Sequence, residues 1–183
     1  MGNCYFGFQY FATFTHTFIC ERCVMELWDA YDEHMNKLHM SPLIRGERIP
    51  DGVFHLVCGI VVKHIDGSYL IMQRDPGKHL GGMWEASAGG SALQGESPAE
   101  CAGRELHEET GVLSDDLEQL GFEVNTDHQT IYYEYICITN IRKTDIKLQY
   151  GETVAYKWIS LDELLSMSKN ELATTRILKY LQR

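Results

Sequence analysis

Residues 89–112 have the sequence GGSALQGESPAECAGRELHEETGV. Within this stretch, Ser97-Pro98-Ala99-Glu100 combines a serine that can cap a helix, a proline suited to the first helical position and a glutamate three residues after the serine. These signals predict a helix that runs to about Thr110, and Gly111 can adopt the left-handed conformation that ends a helix. One element of the fold is therefore defined at both ends by its own sequence.

The predicted helix has an acidic face. At about 100° per residue, Glu105, Glu108 and Glu109 lie together, while Ala102 and Leu106 fall on a neighbouring side. Cβ atoms three or four residues apart are about 5 to 6 Å from each other, so these carboxylates repel one another unless a cation lies among them. Mg2+ is the natural candidate, because it prefers oxygen ligands and keeps several waters. Charge patterning alone equally allows a solvated surface face.

The spacing of these residues favours the first interpretation. Gly90 is followed by five residues, then Glu96, then seven residues, then the run RELHEETGV from Arg104 to Val112. All nine specified positions over these 23 residues match the Nudix box. The chain thus resembles the Nudix family over about Met25 to Leu165. This resemblance implies an α+β Nudix fold, in which a mixed β-sheet is sandwiched between α-helices.

The resemblance also implies roles for the residues of the box. Glu105, Glu108 and Glu109 would be metal ligands, together with the carbonyl group of Gly89. The metal would be Mg2+, with Mn2+ as a substitute. Arg104 would orient the catalytic glutamates through a salt bridge, and its place beside the acidic face agrees with that role.

Residues outside the helix are candidates for the remaining tasks. Family members differ in the carboxylate that serves as the general base, and some use a glutamate from a later loop, for which Glu152 is the candidate here. Glu96 would add an outer contact to the metal site. Arg74, Lys78 and Trp84 are candidates for substrate binding, although loop charges are commonly solvated and a tryptophan beside a strand is commonly part of the core.

The expected function is Mg2+-dependent hydrolysis of a diphosphate linkage in a nucleoside diphosphate derivative or a similar organic diphosphate. The segments from Glu26 to Glu47 and from Gln73 to Asp75 are similar to the Nudix branch that includes isopentenyl diphosphate isomerase, so an isomerase is the alternative. The Asn-Thr-Cys-Cys-type segment of the isomerases is absent from the sequence. A third possibility is a non-catalytic nucleotide-binding sensor, but such domains often lose a box carboxylate.

Charge and composition restrict the partners. Sixteen Lys and Arg against 26 Asp and Glu give a formal net charge of −10, which argues against duplex nucleic acid and leaves a small-molecule diphosphate as the substrate. No apolar run approaches the roughly 20 residues of a membrane span. Six cysteines without regular spacing indicate reduced thiols. We expect a cytoplasmic enzyme that does not bind a membrane.

The chain of 183 residues is long enough for one domain, which we place at residues 25–183. Residues 1–24 differ in composition from the rest, and we expect an N-terminal extension that the activity does not require. The alternative is that its aromatic side chains form a subunit contact, as in a homodimer.

Elsewhere, β-branched runs and turn residues predict a mostly stranded chain. A hairpin is expected around Asp66-Gly67. Gly89 and Gly90 are expected to supply a backbone that can turn sharply and approach a ligand closely. The predicted strands are Val53–Lys63, Tyr69–Arg74, Trp84–Ser87, Leu117–Asn125, Thr130–Thr139 and Val154–Ile159, and the predicted helical segments near the C-terminus are Leu161–Leu164 and Asn170–Leu181.

Overall fold

The computed structural model describes residues 25–114 and 116–182, so the predictions for residues 1–24 lie outside its description. None of the helices in these two ranges is long and apolar enough to span a bilayer. The elements in chain order are β1 (Leu27–Trp28), β2 (Leu43–Ile44), β3 (His55–His64), β4 (Tyr69–Arg74), β5 (Trp84–Ala86), β6 (Ala88–Ser91), α1 (Pro98–Thr110), β7 (Leu117–Asn125), β8 (Thr130–Thr139), β9 (Thr153–Ile159), α2 (Leu161–Ser166) and α3 (Leu178–Leu181).

The hairpin of β3 and β4 divides the main sheet into two halves. Gly67 at its turn has a φ of 91°, which glycine adopts without strain. Beyond the turn the strands separate, and β3 continues against β6 while β4 continues against β5. Ser87 lies between β5 and β6 and bridges the halves, because its Oγ accepts from the Val62 amide at 2.7 Å and donates to the Leu70 carbonyl at 2.8 Å.

The sheet is mixed, as expected for this fold class. β3 and β8 pair in parallel along their whole length, from His55 opposite Thr130 to His64 opposite Thr139. The pairs β7–β8, β4–β9, β3–β6 and β4–β5 are antiparallel. Strands β1 and β2 form a separate two-stranded sheet.

Helices cover both faces of the main sheet. Alternate residues of a strand point to opposite faces, and β3 follows this rule. Cys58 and Ile60 pack with Leu106 of α1 in the larger core cluster, whereas Val61 packs with Leu164 of α2 in a second cluster. The predicted sandwich of a mixed sheet between helices is confirmed.

Helix α1 begins and ends where its sequence signals predict. The Ser97 side chain accepts a hydrogen bond from the Glu100 amide, and the Glu100 side chain accepts one from the Ser97 amide, which completes a capping box. Gly111 has a φ of 73° and its amide donates to the His107 carbonyl. The caps at its two ends therefore determine where the acidic residues lie along helix α1.

Two local predictions were wrong. Gly89 and Gly90 do not form a turn but lie in β6, opposite Gly59 and Cys58 of β3, while their close approach to a ligand stays a prediction. The expected helix over Asn170–Leu181 is reduced to α3, because the backbone on either side of Leu172 bonds to Trp84 instead. The Trp84 amide donates to the Glu171 carbonyl at 2.8 Å, and the Ala173 amide donates to the Trp84 carbonyl at 2.7 Å.

Candidate active site

Glu109 is the most deeply buried carboxylate of α1, with 6% of its surface exposed. Its Oε2 accepts a hydrogen bond from the Gly89 amide at 3.3 Å. Burial raises the pKa of Glu109 to about 8, and the negative charges of Glu105 and Glu85 act in the same direction. A buried acid with like charges beside it is stabilised in its ionised form by a bound cation.

Arg104 organises the other carboxylates. Its guanidinium group forms a bidentate ion pair with Glu96, with Nε–Oε1 and Nη2–Oε2 distances of 2.7 and 2.9 Å. Nη1 contacts Glu105 at 2.7 Å and Glu108 at 3.2 Å, and Nη2 donates to the Ser91 carbonyl at 3.1 Å. This partnership raises the pKa of Arg104 and lowers that of Glu96. The predicted role of Arg104 agrees with this arrangement.

The outer edge of β6 faces these acids. In an antiparallel pair of strands, opposing residues alternately exchange two backbone hydrogen bonds or none. The Gly89 amide is bonded to Glu109 and not to β3, so Gly89 and Gly59 are a pair that exchanges none. The Gly89 carbonyl is therefore also directed away from β3, toward α1. A Cβ atom on Gly90 would lie 2.2 Å from Oε1 of Glu105, so a side chain here would displace the carboxylate that Arg104 contacts.

The box residues line a cavity of about 610 Å3. It contains Arg104, the three acids of α1 and the backbone of β6 on one side. Lys78 and Glu152 line it as well and form an ion pair with each other. The Glu152 loop is fixed to the Lys78 loop through a hydrogen bond from the Asp75 amide to the Glu152 carbonyl, 2.8 Å long.

Two predicted substrate-binding residues lie elsewhere. Arg74 forms an ion pair with Glu85 and lines a second, smaller pocket. Trp84 packs against the second core cluster, and the ammonium group of Lys157 lies 4.3 Å from the centre of its ring. The structure therefore does not bring Trp84 or Arg74 to the cavity of the acids.

Other residues at this site escaped the sequence analysis. Glu26 and Arg45 line the cavity and form an ion pair at 2.6 Å. Glu85 contributes to the raised pKa of Glu109 from the strand before β6. Glu26 and Arg45 lie far from the box in the sequence, and only the similarity of the Glu26–Glu47 segment to a Nudix branch marked that region. Glu85 lies five residues before Gly90, in the Trp84-Glu85 segment that the resemblance also covers.

The donor atoms fit a hard divalent cation. Among residues 25–114 and 116–182, no three acidic, histidine or cysteine side chains already converge closely enough to enclose a metal. Mg2+ does not need such a cage, because it keeps several waters and binds through one or two carboxylates plus substrate oxygens. Glu109 with the Gly89 carbonyl supplies oxygen donors, and Glu105 and Glu108 are held beside them by Arg104.

Residues 53–181 match the model of the NUDIX domain. The chain belongs to the Nudix hydrolase family. It is 32% identical over 142 residues to an uncharacterized Nudix hydrolase of Listeria monocytogenes, covering 76% of this chain and 83% of the relative. It is 29% identical over 124 residues to an isopentenyl-diphosphate Delta-isomerase of Photobacterium profundum, covering 62% of this chain and 69% of the relative. The predicted relation to the isomerase branch is confirmed.

Solved Nudix structures share the fold. The crystal structure of DR0079 from Deinococcus radiodurans matches with a TM-score of 0.70 and 19% identity, covering 86% of this chain and 98% of that one. The NUDIX domain of Shewanella oneidensis NrtR, complexed with ADP ribose, matches with a TM-score of 0.57 and 19% identity, covering 70% and 86%. At these identities the likeness concerns the fold alone.

Proposed function

We propose that this Nudix hydrolase cleaves a diphosphate linkage in a nucleoside diphosphate derivative or a similar organic diphosphate and that it depends on Mg2+. One observation carries the proposal: the three acids of α1 and the backbone of Gly89 border one cavity of about 610 Å3. Mn2+, another cation suited to carboxylate, carbonyl and water ligands, is the expected substitute for Mg2+. A structural relative that binds ADP ribose gives further support for a nucleotide-like substrate.

The proposed mechanism assigns each step to residues of the chain. Glu105, Glu108, Glu109 and the Gly89 carbonyl would hold the metal. When bound, Mg2+ supplies positive charge against the diphosphate and favours ionisation of the attacking water. Two groups of acids can remove the water's proton: the carboxylates of α1 and Glu152, which lines the same cavity.

Lys78 is proposed to bind the substrate phosphates. It lies in the cavity, and in the free protein its ammonium group is paired with Glu152. Burial lowers the pKa of Lys78, and the nearby charge of Arg74 acts in the same direction. A phosphate group would compete with Glu152 for this ammonium group, and its arrival would free Glu152 to accept a proton.

The test is phosphate release from nucleoside triphosphates, nucleotide sugars, dinucleotides and isoprenoid diphosphates, with Mg2+ or with a chelator. We expect metal-dependent cleavage of one of these groups. Glu109→Gln and Glu108→Gln should each lower turnover by about a hundredfold or more while the fold stays intact, because each removes a charge that the reaction needs. Glu118→Gln is the control, since Glu118 is an exposed residue of β7. Full activity of both variants of α1 would refute the proposed metal site.

An isomerase is the second candidate, supported by the isopentenyl-diphosphate Delta-isomerase relative. That chemistry protonates and deprotonates carbon with a cysteine and a glutamate. Among the described residues, no cysteine lines the cavity of the acids. Cys58 of β3 and Cys101 of α1 are fully buried in the larger core cluster. Conversion of isopentenyl diphosphate without phosphate release, followed by NMR, would favour the isomerase.

A further inference from the structure

The segment of residues 25–52 precedes the part of the chain that matches the NUDIX domain, yet it lies beside the Nudix box. The Gln94 amide donates a hydrogen bond to the Leu27 carbonyl at 2.8 Å. The Trp28 ring stacks on His55 of β3, with ring centres 4.4 Å apart. The segment is therefore attached both to the main sheet and to the residues that connect β6 to α1.

Asp29 forms a second connection between this segment and the box loop, which we define as residues 92–97 between β6 and α1. Only 9% of the surface of Asp29 is exposed. Its Oδ2 accepts a hydrogen bond from the Gly95 amide at 2.9 Å and pairs with Nζ of Lys37 at 2.6 Å. A buried charge is costly unless it is paired and hydrogen-bonded, and Asp29 has both kinds of partner.

The box loop depends on its hydrogen bonds for a defined conformation. Gly95 has a φ of 90°, and glycine populates positive and negative φ about equally, so its own backbone preference does not select this conformation. Within the loop, Leu93 and Glu96 bond to each other in both directions, through the Glu96 amide at 3.0 Å and the Glu96 carboxylate at 2.8 Å. The Gly95 amide is instead held from outside, by Asp29.

Glu96 connects the box loop to the site. It follows Gly95 directly, and its carboxylate forms the bidentate ion pair with Arg104. The same guanidinium group contacts Glu105 and Glu108 of α1. Because the guanidinium group is a planar fork, a displacement of the Glu96 carboxylate would reorient all of its contacts. Two contacts, one to Gly95 and one from Glu96, thus join Asp29 to Arg104.

We propose that Asp29 is a positioning residue of this hydrolase: by holding the Gly95 amide it fixes Glu96, and through Glu96 the guanidinium group of Arg104 beside the acids of α1. Asp29 itself touches neither substrate nor metal in this role. The inference rests on the proposed metal site for its effect on metal affinity, whereas the effect on Arg104 is measured without metal.

The variants separate this role from a contribution to stability alone. Asp29→Ala removes the acceptor of the Gly95 amide, while Asp29→Asn keeps an oxygen acceptor there. Both variants lose the ion pair with Lys37, so a difference between them reports the hydrogen bond to Gly95. Asp32→Ala is the matched control, because Asp32 lies in the same segment and its carboxylate accepts hydrogen bonds from its own turn, residues 34–36.

The first measurement is exchange with water of the Nε proton of Arg104, followed by NMR on the full chain without added metal. We expect Asp29→Ala to accelerate this exchange about tenfold, as the loss of one charge-assisted hydrogen bond in the chain of contacts predicts. Asp29→Asn and Asp32→Ala should exchange as the wild type does. If Asp29→Ala does not fold, Asp29→Leu combined with Lys37→Met replaces the ion pair with apolar side chains, which is often neutral for stability, and also removes the acceptor.

The second measurement is Mn2+ affinity, followed by the electron paramagnetic resonance signal of the free ion. Asp29→Ala should weaken binding about tenfold, as expected for a residue that orients metal ligands indirectly. In the Arg104→Lys background the same substitution should have little further effect, because Asp29 acts through Arg104. Additive losses in this cycle would overturn the proposed route.

Unchanged Arg104 exchange in Asp29→Ala, or equal exchange in Asp29→Ala and Asp29→Asn, would also overturn the inference. With Mn2+ binding and hydrolysis intact in the wild type, either result leaves the proposed function standing. A wild-type protein that neither binds Mn2+ nor hydrolyses any diphosphate would overturn the proposed function. Accelerated Arg104 exchange in Asp29→Ala would then still support the positioning role.

Discussion

At the scale of single residues, Arg104 has the largest number of roles at the site. Its planar guanidinium group pairs with Glu96 through two hydrogen bonds and still reaches Glu105 and the Ser91 carbonyl. An ammonium group is compact and cannot match this fork. The identity of the cationic side chain at position 104, and not only its charge, therefore matters for holding the carboxylates.

We predict that Arg104→Lys lowers kcat/KM by about 10- to 100-fold, as expected when a partner that orients metal ligands is lost. Steady-state kinetics at varied Mg2+ concentration would show this loss. Arg48→Lys is the matched control, because Arg48 pairs with Asp51 on the surface, where both side chains are more than 80% exposed. Equal kinetics of the Arg104→Lys and wild-type enzymes would show that Arg104 does not orient the acids.

His55 is a second residue whose surroundings have a measurable consequence. It stacks on Trp28 with ring centres 4.4 Å apart, and burial lowers its pKa. Below the unfolded-state pKa of about 6.5, the unfolded chain therefore binds a proton that the folded chain does not yet bind. This difference in proton binding lowers the contribution of His55 to the free energy of unfolding as the pH falls through that value.

We accordingly predict that, between pH 7.5 and pH 5.5, the free energy of unfolding of the wild-type protein falls relative to that of His55→Phe, which keeps the stacking but cannot bind the proton. The raised pKa of Glu109 acts in the opposite direction in both proteins and cancels in this comparison. Urea unfolding at several pH values is the measurement. The exposed His128 provides the control in His128→Phe. The same pH dependence in all three proteins would contradict the assignment to His55.

At the scale of elements, the sequence was most informative where the determinants are local. Both ends of α1 were predicted from residues within one turn, since capping depends on neighbours in sequence. Gly89 and Gly90 were misassigned to a turn because glycine permits both a turn and a close approach of two backbones. The need for glycine here comes from Cys58, Gly59 and Glu105, which are distant in sequence.

The element β6 supplies a prediction of its own. Gly90→Ala should lower hydrolysis at least tenfold, because the added Cβ atom would lie 2.2 Å from Oε1 of Glu105 and would displace that carboxylate. Gly103→Ala in α1 is the control, since nothing lies within 4 Å of a Cβ atom there. This control should be neutral or stabilise the protein by about 0.5 to 1 kcal/mol. Activity assays and urea unfolding on both variants test the pair, and an active Gly90→Ala enzyme would refute the tight fit.

At the scale of the whole molecule, the arrangement of strands was beyond the sequence analysis. The parallel pairing of β3 with β8 joins residues about 75 positions apart, and no local pattern specifies it. The division of the sheet at Ser87 likewise depends on hydrogen bonds to two other strands. The fold class was nevertheless predicted, through the resemblance of the box and not through strand order.

The domain boundary yields the prediction at this scale. We predict that a chain starting at Met25 folds and hydrolyses the same substrate as the full chain. Circular dichroism, size-exclusion chromatography and the phosphate-release assay would compare the two chains. Aggregation or lost activity of the shorter chain would show that residues 1–24 are required.

Gly89 lines both the cavity of the acids and the second, smaller pocket, and it has no side chain. Charges nevertheless act between the two pockets, because Glu85 of the second pocket raises the pKa of Glu109 and Arg74 lowers that of Lys78. Effects of coupled residues usually do not add. The free-energy effects of Glu85→Gln and Glu109→Gln should then be non-additive in a double-mutant cycle. In evolutionary terms, such a layout means that a change of charge in the second pocket also alters the acids proposed to cleave the diphosphate.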